Sequence, residues 1–212
     1  PSYRRYLGGK AKHNADEIVS NYAPYNLPMT ILTGHNHQSE AVKVANYPNT
    51  TEYIHPSVSG SWWYYPLCND GSPATFTRYD FVDGALTARE SVNFTDHAEQ
   101  KYRIYNKDVV NKKGERVIRM NIWDWHPDWR FDIYENGKKV AEPHFGNIRA
   151  KDRLYDEMRE ATGNGIKKFR FLNTARTYHI FEYKPQDVAA DIRIVATDEF
   201  GSVYFDVTTH ME

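Results

Sequence analysis

The stretch Ile31-Leu32-Thr33-Gly34-His35-Asn36-His37-Gln38-Ser39-Glu40 organises the chain. A short apolar run ends in a glycine, and two imidazoles follow at a spacing of two. Read as a buried strand, the run delivers both histidines to its C-terminal end, where α/β folds place their ligands, and Gly34 frees the backbone for a sharp exit. Neutral imidazole binds zinc, manganese, iron and nickel, and two histidines on one loop can each face a different ion of a two-metal centre. The plain alternative is a pair of ordinary loop histidines, because G-H-x-H is a short pattern.

Upstream, residues 1–13 are polar and glycine-broken and read as loop. Asn14 then serves as a cap, with Glu17 three residues on as in a capping box, and Ala15, Ile18, Val19 and Tyr22 recur at the spacing of one buried helical face. Pro24 and Pro28 stop that helix. A helix feeding the strand Met29 to Thr33 is the second half of a βαβ-like unit whose first strand is absent. The chain also opens on Pro1 without a signal peptide, so it reads as a processed or engineered product or a fragment.

Downstream, Ala41 to Ala45 and Thr51 to Ile54 read as short strands around a turn at Tyr47-Pro48-Asn49. Phe76 to Val82, with Tyr79 and Phe81 on one face, and Ala85 to Val92 form a hairpin around Asp83-Gly84. Asn93 to Glu99 is a polar joint, which divides the chain into residues 1–93 and 94–212.

The second part reads as antiparallel sheet. Ile118, Met120 and Ile122 share one face of a strand over Arg116 to Trp125, and Trp129, Phe131 and Ile133 lead into Asn136-Gly137, a type I′ hairpin signal. Lys151 to Glu160 is the one helix, Phe169-Arg170-Phe171 and Tyr178 to Tyr183 are strands, and Asp191 to Thr197 pairs with Ser202 to Thr208. Strands at this spacing predict a β-sandwich of roughly seven strands, compatible with an immunoglobulin-like arrangement. The fold class is mainly β, of α+β type.

Composition narrows the function. Among 212 residues, 27 Lys and Arg balance 28 Asp and Glu, which gives no electrostatic footprint for nucleic acid or an anionic membrane. No apolar run is long enough to span a membrane. The single cysteine, Cys68, excludes an internal disulfide and reads as a loop or core thiol. Nucleophile-elbow, phosphate-loop and H-E-x-x-H motifs are absent. Trp123, Trp125 and Trp129 cluster near a turn. They read as sandwich core or interface, with a glycan- or polymer-stacking platform as the alternative. His126, between Asp124 and Asp128, reads as part of a polar turn.

The Leu-Thr-Gly-His-Asn-His segment, entered from an amphipathic helix and followed by strands, Gly60-Ser61-Trp62-Trp63, Asp70-Gly71-Ser72-Pro73 and the Asp83-Gly84 hairpin, resembles the closing portion of a calcineurin-like metallophosphoesterase domain. The β-rich second part narrows the resemblance to exported phosphoesterases with a dedicated C-terminal domain, familiar from Bacteroides-type bacteria. The resemblance implies a periplasmic or cell-surface location. It also implies that residues 1–93 are the end of the catalytic domain, and that residues 94–212 are a β-sandwich accessory domain.

In that family Gly-His-x-His is the last of five metal-binding segments. The resemblance implies that His35 faces the second of two divalent ions, of manganese, iron or zinc type, and His37 the first. The family's Asp-x-His, Gly-Asp-x-x-Asp and Gly-Asn-His-Asp/Glu segments do not occur in this sequence. His13 falls near the position of a further family histidine, without its flanks. The expectation is therefore a parent phosphoesterase hydrolysing mono- or diesters, and an inactive chain that holds no metal stably and whose partner is the missing N-terminal catalytic portion. The cut sheet is expected to expose edges that favour self-association.

Overall fold

A computed structural model describes residues 15–44, 47–94, 99–141, 143–163 and 168–212. The opening loop with His13, the Asn14 cap, Ala45 and the centre of the polar joint lie outside the described residues.

Helix α1 (Ala15–Tyr22) runs into a 3-10 turn over Ala23–Tyr25, where Pro24 sits, and Asn26 in the left-handed region (φ 48°) redirects the chain. Three strands follow: β1 (Met29–Thr33), β2 (Glu40–Val44) and β3 (Tyr47–Ile54). They form one sheet in the order β1-β3-β2, with β1 parallel to β3 and β2 antiparallel to it. Tyr47-Pro48-Asn49 belongs to β3 rather than to a turn. The proline is tolerated because pairing with β1 begins only at Thr50, after the missing N–H. Val19 and Val44 are the buried residues of a small cluster beneath Met29, Ile31 and Tyr47.

Strands β4 (Thr75–Val82) and β5 (Ala85–Asn93) make the expected hairpin, with Asp83 and Gly84 both at positive φ as a type I′ turn requires. A register shift falls between Asp80 and Phe81, with Thr87 of β5 left out of the pairing, and Phe81 is 49% exposed.

The remaining strands are β6 (Arg103–Tyr105), β7 (Ile118–Asn121), β8 (Arg130–Glu135), β9 (Lys138–Lys139), β10 (Gly146–Lys151), β11 (Arg176–Tyr183), β12 (Ile192–Thr197) and β13 (Val203–Thr209). They form two four-stranded antiparallel sheets, ordered β10-β11-β7-β6 and β13-β12-β8-β9. Ile118, Met120, Phe181 and Tyr183 of the first sheet pack with Ile133, Ile192, Ile194, Ala196 and Phe205 of the second in one core, which makes the unit a β-sandwich. The strand expected over Arg116 to Trp125 is four residues long, because the chain turns after Asn121 and the Trp125 N–H bonds back to the Ile122 carbonyl.

Helix α2 (Arg153–Ala161) is capped by Asp152, whose carboxylate accepts the Tyr155 N–H at 2.9 Å. Phe169-Arg170-Phe171 is not a strand. A 3-10 turn over Arg170–Leu172 buries Leu172 and leaves Phe171 outside.

The tryptophan trio forms no exposed platform. Trp123 and Trp129 are buried, and Trp125 packs edge-on to Phe181. The Trp129 indole N–H donates to Glu199 at 2.5 Å. Burial of these large rings outweighs any gain from displaying them.

Candidate functional site

The loop after β1 carries both histidines, and it is tightly wound. His35 and His37 each adopt positive φ (77° and 53°), a conformation in which non-glycine residues collect at sites under functional constraint. His35 is exposed. His37 is pinned by two contacts: its ring stacks on Trp62 with centroids 3.9 Å apart, and its Nδ1 lies 2.8 Å from the Gly60 carbonyl. A carbonyl only accepts, so Nδ1 carries the proton and the Nε2 lone pair is left as a donor. Metal-binding histidines are commonly fixed in this way. Gly60 is at φ 52°, and a Cβ there would fall 2.3 Å from the Tyr65 carbonyl oxygen, so no other residue fits.

The loop's exit is tied to the sandwich. The Ser39 backbone N–H donates to Asp70 at 2.6 Å, and its hydroxyl donates to the Trp123 carbonyl. Asp70 is fully buried and also accepts from the Ser72 N–H, the Ser72 hydroxyl and His179 Nε2 (3.1 Å). Burial alone would raise its carboxyl. The hydrogen bond and charge of His179, with the bonds from Ser72, outweigh that and hold it below the usual carboxylate range.

His179 Nδ1 lies 2.6 Å from the Asn121 side-chain oxygen. The orientation of that amide is fixed, because its nitrogen donates to the Asp70 carbonyl and to Asp152. Both ring nitrogens of His179 therefore face acceptors. Asp152 in turn caps α2 and accepts from the Tyr105 hydroxyl at 2.6 Å. One buried polar chain thus runs from the histidine loop through β7 and β11 to the helix.

A second knot joins the β4–β5 hairpin to the sandwich. Arg89 Nε donates to Glu199 at 2.6 Å and its Nη2 to the Asp124 carbonyl, with both carboxylates buried beside it. Tyr53 and Trp129 also donate to Glu199, while Ser91 and Tyr204 donate to Asp124. Burial would raise Glu199, but the Arg89 charge keeps it low. Nearby His126 is buried, and its Nδ1 accepts the Asp128 N–H, so its proton sits on Nε2, which has no partner among the described residues. Burial lowers its pKa to about 4.

Beside the histidines opens a cleft of about 550 Å³, lined by His35, His37, Gln38, Trp62, Arg170 and Phe171 among others. The two imidazoles supply nitrogen donors for a metal. No group of three or more His, Cys, Asp or Glu residues suited to a metal ion occurs among the described residues. His13 lies outside the described residues, and Cys68 is a fully buried thiol pushed up to about 12 by burial and then by Asp70.

Sequence reasoning found the two histidines but missed their setting. Trp62 was legible as part of an adjacent tryptophan pair in a polar loop, whereas Asp70 and His179, 109 residues apart, left no local signal.

The family model described as "C terminal of Calcineurin-like phosphoesterase" matches residues 52–204, more than two thirds of the chain. The match starts in β3, crosses residue 93 and covers most of the sandwich, and it begins after His37. No curated protein and no solved structure matches the chain. No helix among the described residues is long and apolar enough to cross a membrane. On the strength of the match over 52–204, the chain belongs to the family of C-terminal domains of calcineurin-like phosphoesterases.

Proposed function

We propose that this chain is the C-terminal part of a metal-dependent phosphoesterase, in which His35 and His37 contribute to a two-metal centre completed by an N-terminal catalytic portion. The observation that carries the reading is His37, whose Nδ1 is held by the Gly60 carbonyl so that Nε2 is free to coordinate. His35 would serve the second ion. When bound, the ions would supply a hydroxide nucleophile and neutralise charge on the phosphoryl oxygens. The chain's own residues have other tasks. Gly60 and Trp62 fix the ring plane of His37, and Ser39, held by Asp70 and Trp123, fixes where the loop ends.

The division at residue 93 is then one of role. Residues 1–93 present the metal loop, and residues 94–212 brace it through Asp70–His179 and Arg89–Glu199. Strand β1 supports the same reading. It lies at the edge of its sheet and pairs only with β3 among the described strands, so an upstream strand has a place to add. We place the protein in the periplasm or at the cell surface by the family resemblance.

The experiment is hydrolysis of p-nitrophenyl phosphate and its bis ester with manganese present. The 212-residue chain is expected to show no more turnover than its His35→Ala, His37→Ala variant, because two histidines without carboxylate bridges do not hold two hard cations. A longer gene product that includes the upstream segment should turn over one of the esters and lose that activity in the same double variant. Activity surviving in the double variant would refute the reading.

A further inference from the structure

The cleft beside the histidines has an aromatic wall that reaches beyond the Trp62 ring on which His37 stacks. Trp62 and Trp63 are consecutive residues at positive φ (51° and 65°), a backbone conformation unfavourable for bulky side chains. They are 36% and 82% exposed. Phe171 meets Trp62 edge to face with centroids 5.1 Å apart, and Tyr64 and Phe169 pack behind it. The wall is thus an aromatic cluster held at the surface by a strained turn on one side and the 3-10 turn over Arg170–Leu172 on the other.

Arg170 stands in the same cleft, with its guanidinium in no hydrogen bond or ion pair among the described residues. No carboxylate lines the cleft among the described residues. The lining therefore offers a permanent cation, two imidazoles, the Gln38 amide, whose nitrogen donates to Asn69, and aromatic surface, which together suit an anion attached to a flat ring.

We propose that this cleft is the leaving-group pocket of the active site, and that it selects phosphate esters of ring-bearing alcohols. Arg170 holds an anionic oxygen of the ester, and Trp62 and Phe171 take the ring. The assignment rests on the reading of His35 and His37 as metal ligands only for which end of the cleft receives the phosphorus. Arg170 and Phe171 come from residues 94–212 and Trp62 from the loop after β3, so both parts of the chain would contribute to specificity.

The test is ligand-observed NMR on the 212-residue chain in the presence of a chelator, with phenyl phosphate, glycerol 2-phosphate and phenol as probes. Phenyl phosphate should bind at least about fivefold more tightly than glycerol 2-phosphate, the worth of one aromatic contact. Trp62→Ala and Phe171→Ala, checked as folded by circular dichroism, should each bring the two esters to the same affinity. Arg170→Gln should weaken both esters and leave phenol unchanged. Equal affinity for the two esters in the unmodified chain, no saturable binding of either, or an undiminished preference in both aromatic variants would overturn the pocket. If phenyl phosphate is preferred as stated but the histidines prove to bind no metal in the longer protein, the pocket stands and the proposed function falls. The reverse pair of results removes the pocket alone.

Discussion

The sandwich and the small sheet that precedes it solve the same problem differently. Residues 99–212 enclose their own core, with Ile118, Met120, Ile133, Ile180, Ile192 and Ile194 all fully buried. The β1-β3-β2 sheet with α1 has only Val19 and Val44 at the centre of its cluster, while Tyr22, Tyr25, Leu27 and Leu32 are each about half exposed or more. One region encloses its own core, and the other has apolar surface and a strand edge that is unpaired among the described residues. The loop with the two histidines springs from the second region and is anchored on the first. That is the arrangement expected of a site assembled from two parts of a longer protein.

The strongest way to break this comparison is to cut the anchor. Asp70→Ala leaves the His179 ring buried against an empty position and frees the Ser39 N–H, and removing one partner of a buried pair typically costs about 3–5 kcal/mol. Denaturant unfolding should show that loss. A change below about 1 kcal/mol would mean that the loop is not held through Asp70.

The two cores should also differ under truncation. Ile194→Ala opens a cavity in the sandwich and should cost about 3 kcal/mol, while Ile31→Ala on half-buried β1 should cost about 1 kcal/mol. Equal costs would show that the small sheet is as well packed as the sandwich.

Acid should act through His126. Its folded-state pKa of about 4 lies below its ordinary 6.5, so the unfolded chain binds a proton that the folded chain refuses over that interval. Stability is then full above pH 6.5 and falls as the pH drops toward 4, by up to about 3 kcal/mol. His126→Phe should flatten the slope between those values. Asp70 and Glu199, whose carboxyls are held low, add their losses only at pH values below the ordinary carboxylate range. A slope unchanged in the variant would remove His126 from the account.

The smallest effect expected is association through β1. Light scattering should detect concentration-dependent self-association of the 212-residue chain, weakened when Ile31, at the centre of the strand, is replaced by proline. A monomer at all concentrations would show that the edge is protected.

Much of this fold was legible because it rests on local pattern. Alternation placed Ile192, Ile194 and Ala196 in the core, and Asp83-Gly84 and Asn136-Gly137 marked their turns. What failed was decided at a distance. Phe171, read as part of a strand, lies on the surface because the 3-10 turn spends its one buried position on Leu172, whereas Trp123 and Trp129 are buried as the core reading expects. The histidines could be read from four residues. Their restraints, from Gly60, Trp62 and the Asp70–His179 pair, depend on contacts that no spacing encodes.

The central claim is that His35 and His37 are half of a metal clamp, and metal content tests it most directly. The longer gene product, purified and dialysed against buffer without metal, should retain two divalent ions per chain by elemental analysis, and its His35→Ala, His37→Ala variant should retain fewer. A full complement of metal in the double variant would contradict the account.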